Sequence, residues 1–138
     1  MKPSNRQIQV FLAHAHGDKE AIRILYQRMV KGGVKVWLDE QNLMPGQDWE
    51  YEIRKAIRES DVVIVCLSKQ YGRQKGYRQK ELRIALEEAE SLPEGEIFII
   101  PARLEECDVP DSLQRWQRVD LFDANGFKKL MHVLKRGV

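Results

Sequence analysis

Asp61-Val62-Val63-Ile64-Val65-Cys66-Leu67 is the stretch that decides how this chain folds. From Val62 to Leu67 every position is apolar and most are β-branched. A strand of that kind is covered on both faces, as in a parallel sheet with helices on either side. Working back from it, Asp48 can cap a helix that turns Trp49, Ile53, Ala56 and Ile57 inward. Before that helix comes DEQNLMPGQ, Asp39 to Gln47, a long polar loop with Pro45-Gly46 as its turn signal. Val34 to Leu38 reads as a strand. Gly32-Gly33 ends a helix running from about Lys19 to Lys31, with Ile22, Leu25, Tyr26, Met29 and Val30 on its apolar stripe and Asp18 as its cap. Ile8 to Ala13 is the first strand.

Downstream, Ser68 to Gly76 is a basic, glycine-containing loop. A helix from about Tyr77 to Glu90 aligns Leu82, Ala85, Leu86 and Ala89, and Pro93 and Gly95 break it. Ile97 to Ile100 is a fourth strand. Arg103 to Gln117 is mostly loop, Val119 to Phe122 a short fifth strand, and Phe127 to Lys135 a closing helix with Phe127, Leu130, Met131 and Leu134 on one face. Strands alternating with helices predict an α/β fold: a flavodoxin-like, doubly wound, five-stranded parallel sheet with helices on both faces. In such sheets ligands bind beyond the carboxyl ends of the strands, near a topological switch point. That singles out His14 to Asp18, Asp39 to Asp48, and Ser68 to Gly76, with Tyr77 to Glu81 opening the next helix.

The 138 residues suit one domain, 1–138 with a core of about 8–135. Lys and Arg number 23 against 21 Asp and Glu, a balance that argues neither for a nucleic-acid phosphate-backbone binder nor for an acidic tail. No apolar run approaches the ~20 residues of a membrane span, and Met1 to Gln9 carries no signal-peptide core. The expectation is a cytoplasmic protein with no membrane partner, whose two cysteines, Cys66 and Cys107, are free thiols. Several chemistries of the same architecture are excluded. The third strand ends in Cys66-Leu67-Ser68-Lys69, without the aspartate of a phosphoacceptor. HAHGDKE after the first strand is neither GxGxxG nor a Ser/Thr/Gly-rich phosphate loop, and no P-loop or nucleophile elbow occurs.

Four stretches, VFLAHAHGDKE, KVWLDEQNLMPGQDWEYEIRKAI, SDVVIVCLSKQY, and GYRQKELRIALEEAE with EIFIIPARLEECDVP, stand in the order and spacing of one family. Over roughly residues 8 to 122 the chain resembles the TIR (Toll/interleukin-1 receptor) domains, especially their bacterial members. The resemblance implies a five-stranded parallel sheet and one of two functions. Some members scaffold signalling complexes. Others cleave NAD⁺ between nicotinamide and ribose, giving ADP-ribose or a cyclic variant; NAD⁺ is then the substrate and no cofactor is needed. Antiphage defence is an expectation for bacterial members as a family.

Catalytic members place a glutamate in the helix after the third strand, often as Trp-x-x-x-Glu. Here the matching positions are Tyr77 and Glu81, i and i+4 on one helix face. Glu81 is the expected catalytic carboxylate and Tyr77 an aromatic that could stack on nicotinamide or ribose. The local alternative is a glutamate favoured by the helix macrodipole, worth about 0.3–1 kcal/mol, with no function implied. Asp39 faces a ribose or merely caps its turn. Lys69 and Arg73 meet a pyrophosphate or are solvated loop charges. His14, beside Ala13 where family members often carry serines, makes a polar contact in the crevice or is plain loop; with His16 it is a poor metal site. Leu43-Met44-Pro45-Gly46, in the position of the family's BB loop, puts apolar groups in a polar loop. They fold back on the domain or supply a self-association surface for other TIR domains.

Overall fold

In a computed structural model the described residues are 7–71, 77–93, 96 and 98–135, with the side chains of residues 16, 40 and 77–79 outside the description. The order is β1 (Gln9–Ala13), α1 (Lys19–Lys31), β2 (Lys35–Trp37), α2 (Asp39–Asn42), α3 (Trp49–Glu59), β3 (Val62–Leu67), α4 (Tyr77–Glu90), β4 (Ile99–Arg103), β5 (Val119–Asp120) and α5 (Gly126–Lys135). The strands form one sheet in the order β2-β1-β3-β4-β5, and every pairing is parallel. This is the doubly wound, flavodoxin-like architecture, whose strand order reverses between β1 and β3.

The unbroken apolar run of β3 is explained by its place. All six of its residues are buried, with β1 on one side and β4 on the other. Successive side chains point to opposite faces. Val62, Ile64 and Cys66 join Ile22, Leu25 and Met29 of α1 and Leu130, Met131 and Leu134 of α5. Val63, Val65 and Leu67 join Ile53, Ala56 and Ile57 of α3 and Leu82, Ile84 and Ala85 of α4. The sheet is thus the middle of three layers. Arg28 of α1 lies over the Phe127 ring, 3.8 Å from its centroid, and ties the two helices of the first face together.

Two glycines are required by the backbone. Gly33 follows the last turn of α1 at φ 93°, the left-handed position that glycine takes without strain. Gly46, at φ 88°, is the third residue of the turn Met44-Pro45-Gly46-Gln47, closed by Gln47 N donating to Met44 O at 3.2 Å. Proline followed by a positive-φ glycine is the signature of a type II turn.

The structure trims the first two strands to Gln9–Ala13 and Lys35–Trp37, leaves Val30 of the expected α1 stripe exposed, and departs further at α2, β4 and β5. Residues Asp39–Asn42, expected as loop, form a helical turn, α2. The Asn42 side chain reaches back to accept from Leu38 N at 3.0 Å and closes it, a local bond that periodicity cannot reveal. The fourth strand is Ile99–Arg103 rather than Ile97 to Ile100; Ile97 lies outside the described residues. The fifth shrinks to Val119–Asp120. Both shifts have one cause. The pairing register sets Ala102 opposite Val119 and Arg103 opposite Asp120, so the arginine that marked a loop in sequence is held inside the sheet by its partner.

Candidate active site

β2, β1 and β3 run side by side, with Phe11 level with Trp37 and Ala13 level with Val65. Their carboxyl ends therefore deliver the segments after Ala13, Trp37 and Leu67 to one edge of the sheet, at the reversal of strand order. Phe11 and Trp37 stack at 5.0 Å between ring centroids and 9° between planes, which fixes β2 against β1 just below that edge. α4 lies on one face of the sheet beside α3, in contact with β1 and β4.

Glu81 sits in the second turn of α4 and is only 1% exposed. The sequence places it on the border of the apolar stripe; the structure puts it inside the buried face, beside Leu82, Ile84 and Ala85. Ile84 completes that face and falls outside the expected stripe. Tyr77 opens the helix, but its side chain lies outside the described residues, as do those of His16 and all of Arg73 and Gly76.

Ala13 and His14 are buried at the end of β1. The His14 ring Nδ1 meets Ala15 O at 2.8 Å. A carbonyl only accepts, so Nδ1 carries the proton. Asp39 is half-buried at the start of α2, at the same sheet edge. Lys69 is exposed, and its backbone N–H donates to Glu105 at 2.9 Å, which joins the loop after β3 to the loop after β4. Of the expected loop group, Leu43 packs against the core beneath α3 and α4, whereas Met44 is 64% exposed and Pro45 and Gly46 are exposed with it. Folding back on the domain thus holds for Leu43 and not for the three residues after it.

Asp18 and Ser68 form a contact that sequence reading missed. Asp18 occupies the N-cap position of α1, yet its side chain makes no capping bond. A cap is worth about 1 kcal/mol. The carboxylate instead accepts from Ser68 Oγ at 2.5 Å, across 50 residues of chain. Asp48, by contrast, caps α3 as expected, accepting from Tyr51 N at 3.1 Å. Tyr71, an aromatic in a polar loop, is buried too; that composition mismatch was its one sequence signal. Below the edge, burial first and the Asp18 carboxylate second push the Cys66 thiol far above its ordinary range.

A groove of about 920 Å³ lies along Ile99, Ile100, Trp116, Val119, Leu130 and Val133, beside the part of β4 that β5 is too short to cover. The Glu81 carboxylate of α4 and the His14 imidazole at the end of β1 are both covered. A buried carboxylate can stabilise developing positive charge strongly, because little water screens it.

A family model described as TIR domain matches residues 10–131. The chain is 38% identical over 77 residues to the NAD(+) hydrolase TcpA of Theionarchaea archaeon (strain DG-70-1), a match covering 55% of this chain and 23% of that protein. It is 34% identical over 65 residues to the probable 2′ cyclic ADP-D-ribose synthase BdTIR of Brachypodium distachyon, covering 46% and 29%. The matched part of the chain thus spans under a third of the length of either relative. Among solved structures, the TIR domain of the Toll-related receptor TRR-2 from Hydra magnipapillata superposes with a TM-score of 0.76 at 24% identity, covering 91% of this chain and 97% of that one; it bears on the fold alone.

Proposed function

The chain belongs to the TIR domain family, and from that premise we propose that it cleaves NAD⁺ at the nicotinamide–ribose bond. One observation carries the reading: a glutamate, Glu81, is buried to 1% exposure in the helix that follows the central strand. The names of the two relatives, a hydrolase of NAD⁺ and a synthase of a cyclic ADP-ribose, support the same substrate. Cationic nicotinamide is already a good leaving group. Bond cleavage passes through an oxocarbenium-like ribose, as in glycoside hydrolysis. Glu81 would face that charge and hold the ribose hydroxyls, with no second acid needed to protonate the leaving group. The carboxylate is pre-positioned, so its contribution is electrostatic. Tyr77 would form a wall of the nicotinamide pocket. His14 and Ala13 would line the crevice at the end of β1, Asp39 would meet a ribose, and Lys69 the pyrophosphate. Nicotinamide leaves with the bonding pair as a neutral molecule; water then bonds to the ribose carbon and loses a proton to give linear ADP-ribose, or a nucleophilic atom of the same ADP-ribosyl group bonds there instead and gives a cyclic product.

Glu81, His14 and Ser68 are all nearly closed off in this fold. Access therefore has to be opened, and assembly with other TIR domains through the exposed Met44-Pro45-Gly46 tip is the event proposed to open it. The decisive experiment follows nicotinamide release from NAD⁺ at high protein concentration, beside Glu81→Ala. Release that disappears in the variant supports the reading. Release that persists in it removes Glu81 from the chemistry.

A second reading is favoured by the contrast between a buried Glu81 and a Met44 that is 64% exposed. In it the domain is an interaction module working through homotypic contacts at the same tip. Absence of nicotinamide release under every assembling condition, with association retained, selects it.

A further inference from the structure

The loops after β1 and β3 are joined by a continuous chain of hydrogen bonds over the point where the strand order reverses. His14 Nδ1–H donates to Ala15 O at 2.8 Å, and Asp18 N donates to the same carbonyl at 3.1 Å. Asp18 Oδ2 accepts from Ser68 Oγ at 2.5 Å. Ser68 Oγ accepts in turn from Gln70 N at 3.2 Å, and Ser68 O accepts from Tyr71 N at 3.1 Å. The Gln70 carboxamide of the β3 loop lies against Gly17 of the β1 loop.

Asp18 is placed to cap α1 and does not do so; its acceptor is spent across the crevice instead. Ser68 is 5% exposed and Tyr71 2%, so the near end of the β3–α4 connection is pinned at Ser68 to Tyr71. That connection feeds the helix bearing Tyr77 and Glu81. Tyr71, whose N–H is held by Ser68 O, lies in the same core cluster as Leu82, Ile84 and Ala85 of α4, so the bond bears on the packing of that helix.

We propose that Ser68 and Asp18 form a latch that positions the Glu81-bearing helix against the β1 loop. They are positioning residues for the reaction of Glu81, without touching substrate themselves. The inference rests on the NAD⁺-cleaving reading for its activity consequence, but the latch itself is testable without it.

The experiment compares wild type, Ser68→Ala, Ser68→Thr, Asp18→Ala and the Ser68→Ala/Asp18→Ala double variant. Two readouts are taken: kcat and KM for nicotinamide release, and hydrogen exchange of the amides of residues 81–85. A misplaced catalytic group costs rate more than affinity. Ser68→Ala is expected to lower kcat on the order of tenfold with KM held within about twofold. Ser68→Thr, which keeps the hydroxyl, restores it, and the double variant is no slower than either single one because both remove the same bond. The exchange of residues 81–85 quickens in each single variant and no further in the double. An unchanged kcat, or additive losses, overturns the positioning role even if exchange quickens. If the wild type releases no nicotinamide, the functional reading has failed and the exchange data decide alone. Faster, non-additive exchange keeps the latch, and unchanged exchange overturns it.

Discussion

Arg103 holds Asp120 through two parallel hydrogen bonds, Nε to Oδ1 at 2.7 Å and Nη2 to Oδ2 at 2.8 Å. The two residues are register partners on β4 and β5. This clasp, with Glu106 and Cys107 O also on Nη1, keeps a two-residue strand in the sheet. Two-point pairing of a guanidinium with a carboxylate is the strong form of the interaction.

The clasp makes stability depend on acid. The hydrogen bond from Arg103, aided by Arg118, holds the Asp120 carboxyl down at about 2, from an ordinary 3.8. A group whose folded pKa is depressed contributes stability that is complete above its unfolded pKa and lost as pH falls through the folded one. Acid unfolding followed by circular dichroism should therefore steepen between 3.8 and about 2. Asp120→Asn should be less stable at neutral pH and show a shallower acid limb. An acid limb identical to wild type would contradict this.

Leu113, in the short 3-10 turn Asp111–Leu113, is fully buried and joins the core beneath α3 and α4. It is the apolar anchor of the connection between β4 and β5. Leu113→Ala leaves a cavity and should cost about 2–5 kcal/mol in a denaturant titration. A loss below about 0.5 kcal/mol would mean that the connection is not anchored there.

Met44→Asp should behave oppositely. The side chain is 64% exposed, so chemical stability should stay within about 0.5 kcal/mol of wild type. The concentration at which nicotinamide release becomes appreciable should rise. An unchanged concentration dependence would take the loop tip out of assembly.

Cys66 is completely buried with its thiol pushed far up. Cys107 is half-buried in a loop, and burial raises its thiol as well. A thiol reagent should modify Cys107 slowly in the native protein and Cys66 only after unfolding. Rapid native modification of Cys66 would imply that β3 opens readily.

How far the sequence could be read depended on whether the information was local. The bounds of β3, α1 and α4 were legible, because an unbroken β-branched run and a 3.6-residue stripe are local signals, but the stripes missed the buried Ile84 and counted Val30, which is exposed. α2 was not, since it is a single turn of backbone bonds closed by Leu38 N–H donating to the Asn42 side chain, with no apolar stripe to announce it. The end of β4 was not, since Arg103 reads as loop until its partner 17 residues later is known. At the candidate site, Glu81 was found through family resemblance, and its burial was legible only as a position at the edge of the stripe. The bond between Ser68 and Asp18 spans 50 residues. Asp18 carried the signature of a cap, which pointed to the wrong partner. Leu43 and Met44 are adjacent apolar residues in one loop, and sequence could not say that one turns in and the other out.

The most direct test replaces Glu81 by glutamine, which keeps the side chain's size and removes its charge. Nicotinamide release from NAD⁺ would be followed for both proteins at a concentration high enough to favour assembly, with their thermal unfolding compared alongside. If Glu81 stabilises the oxocarbenium-like ribose, release should fall on the order of 10²–10³-fold while the variant remains folded. Equal release from a folded Glu81→Gln protein would contradict the account.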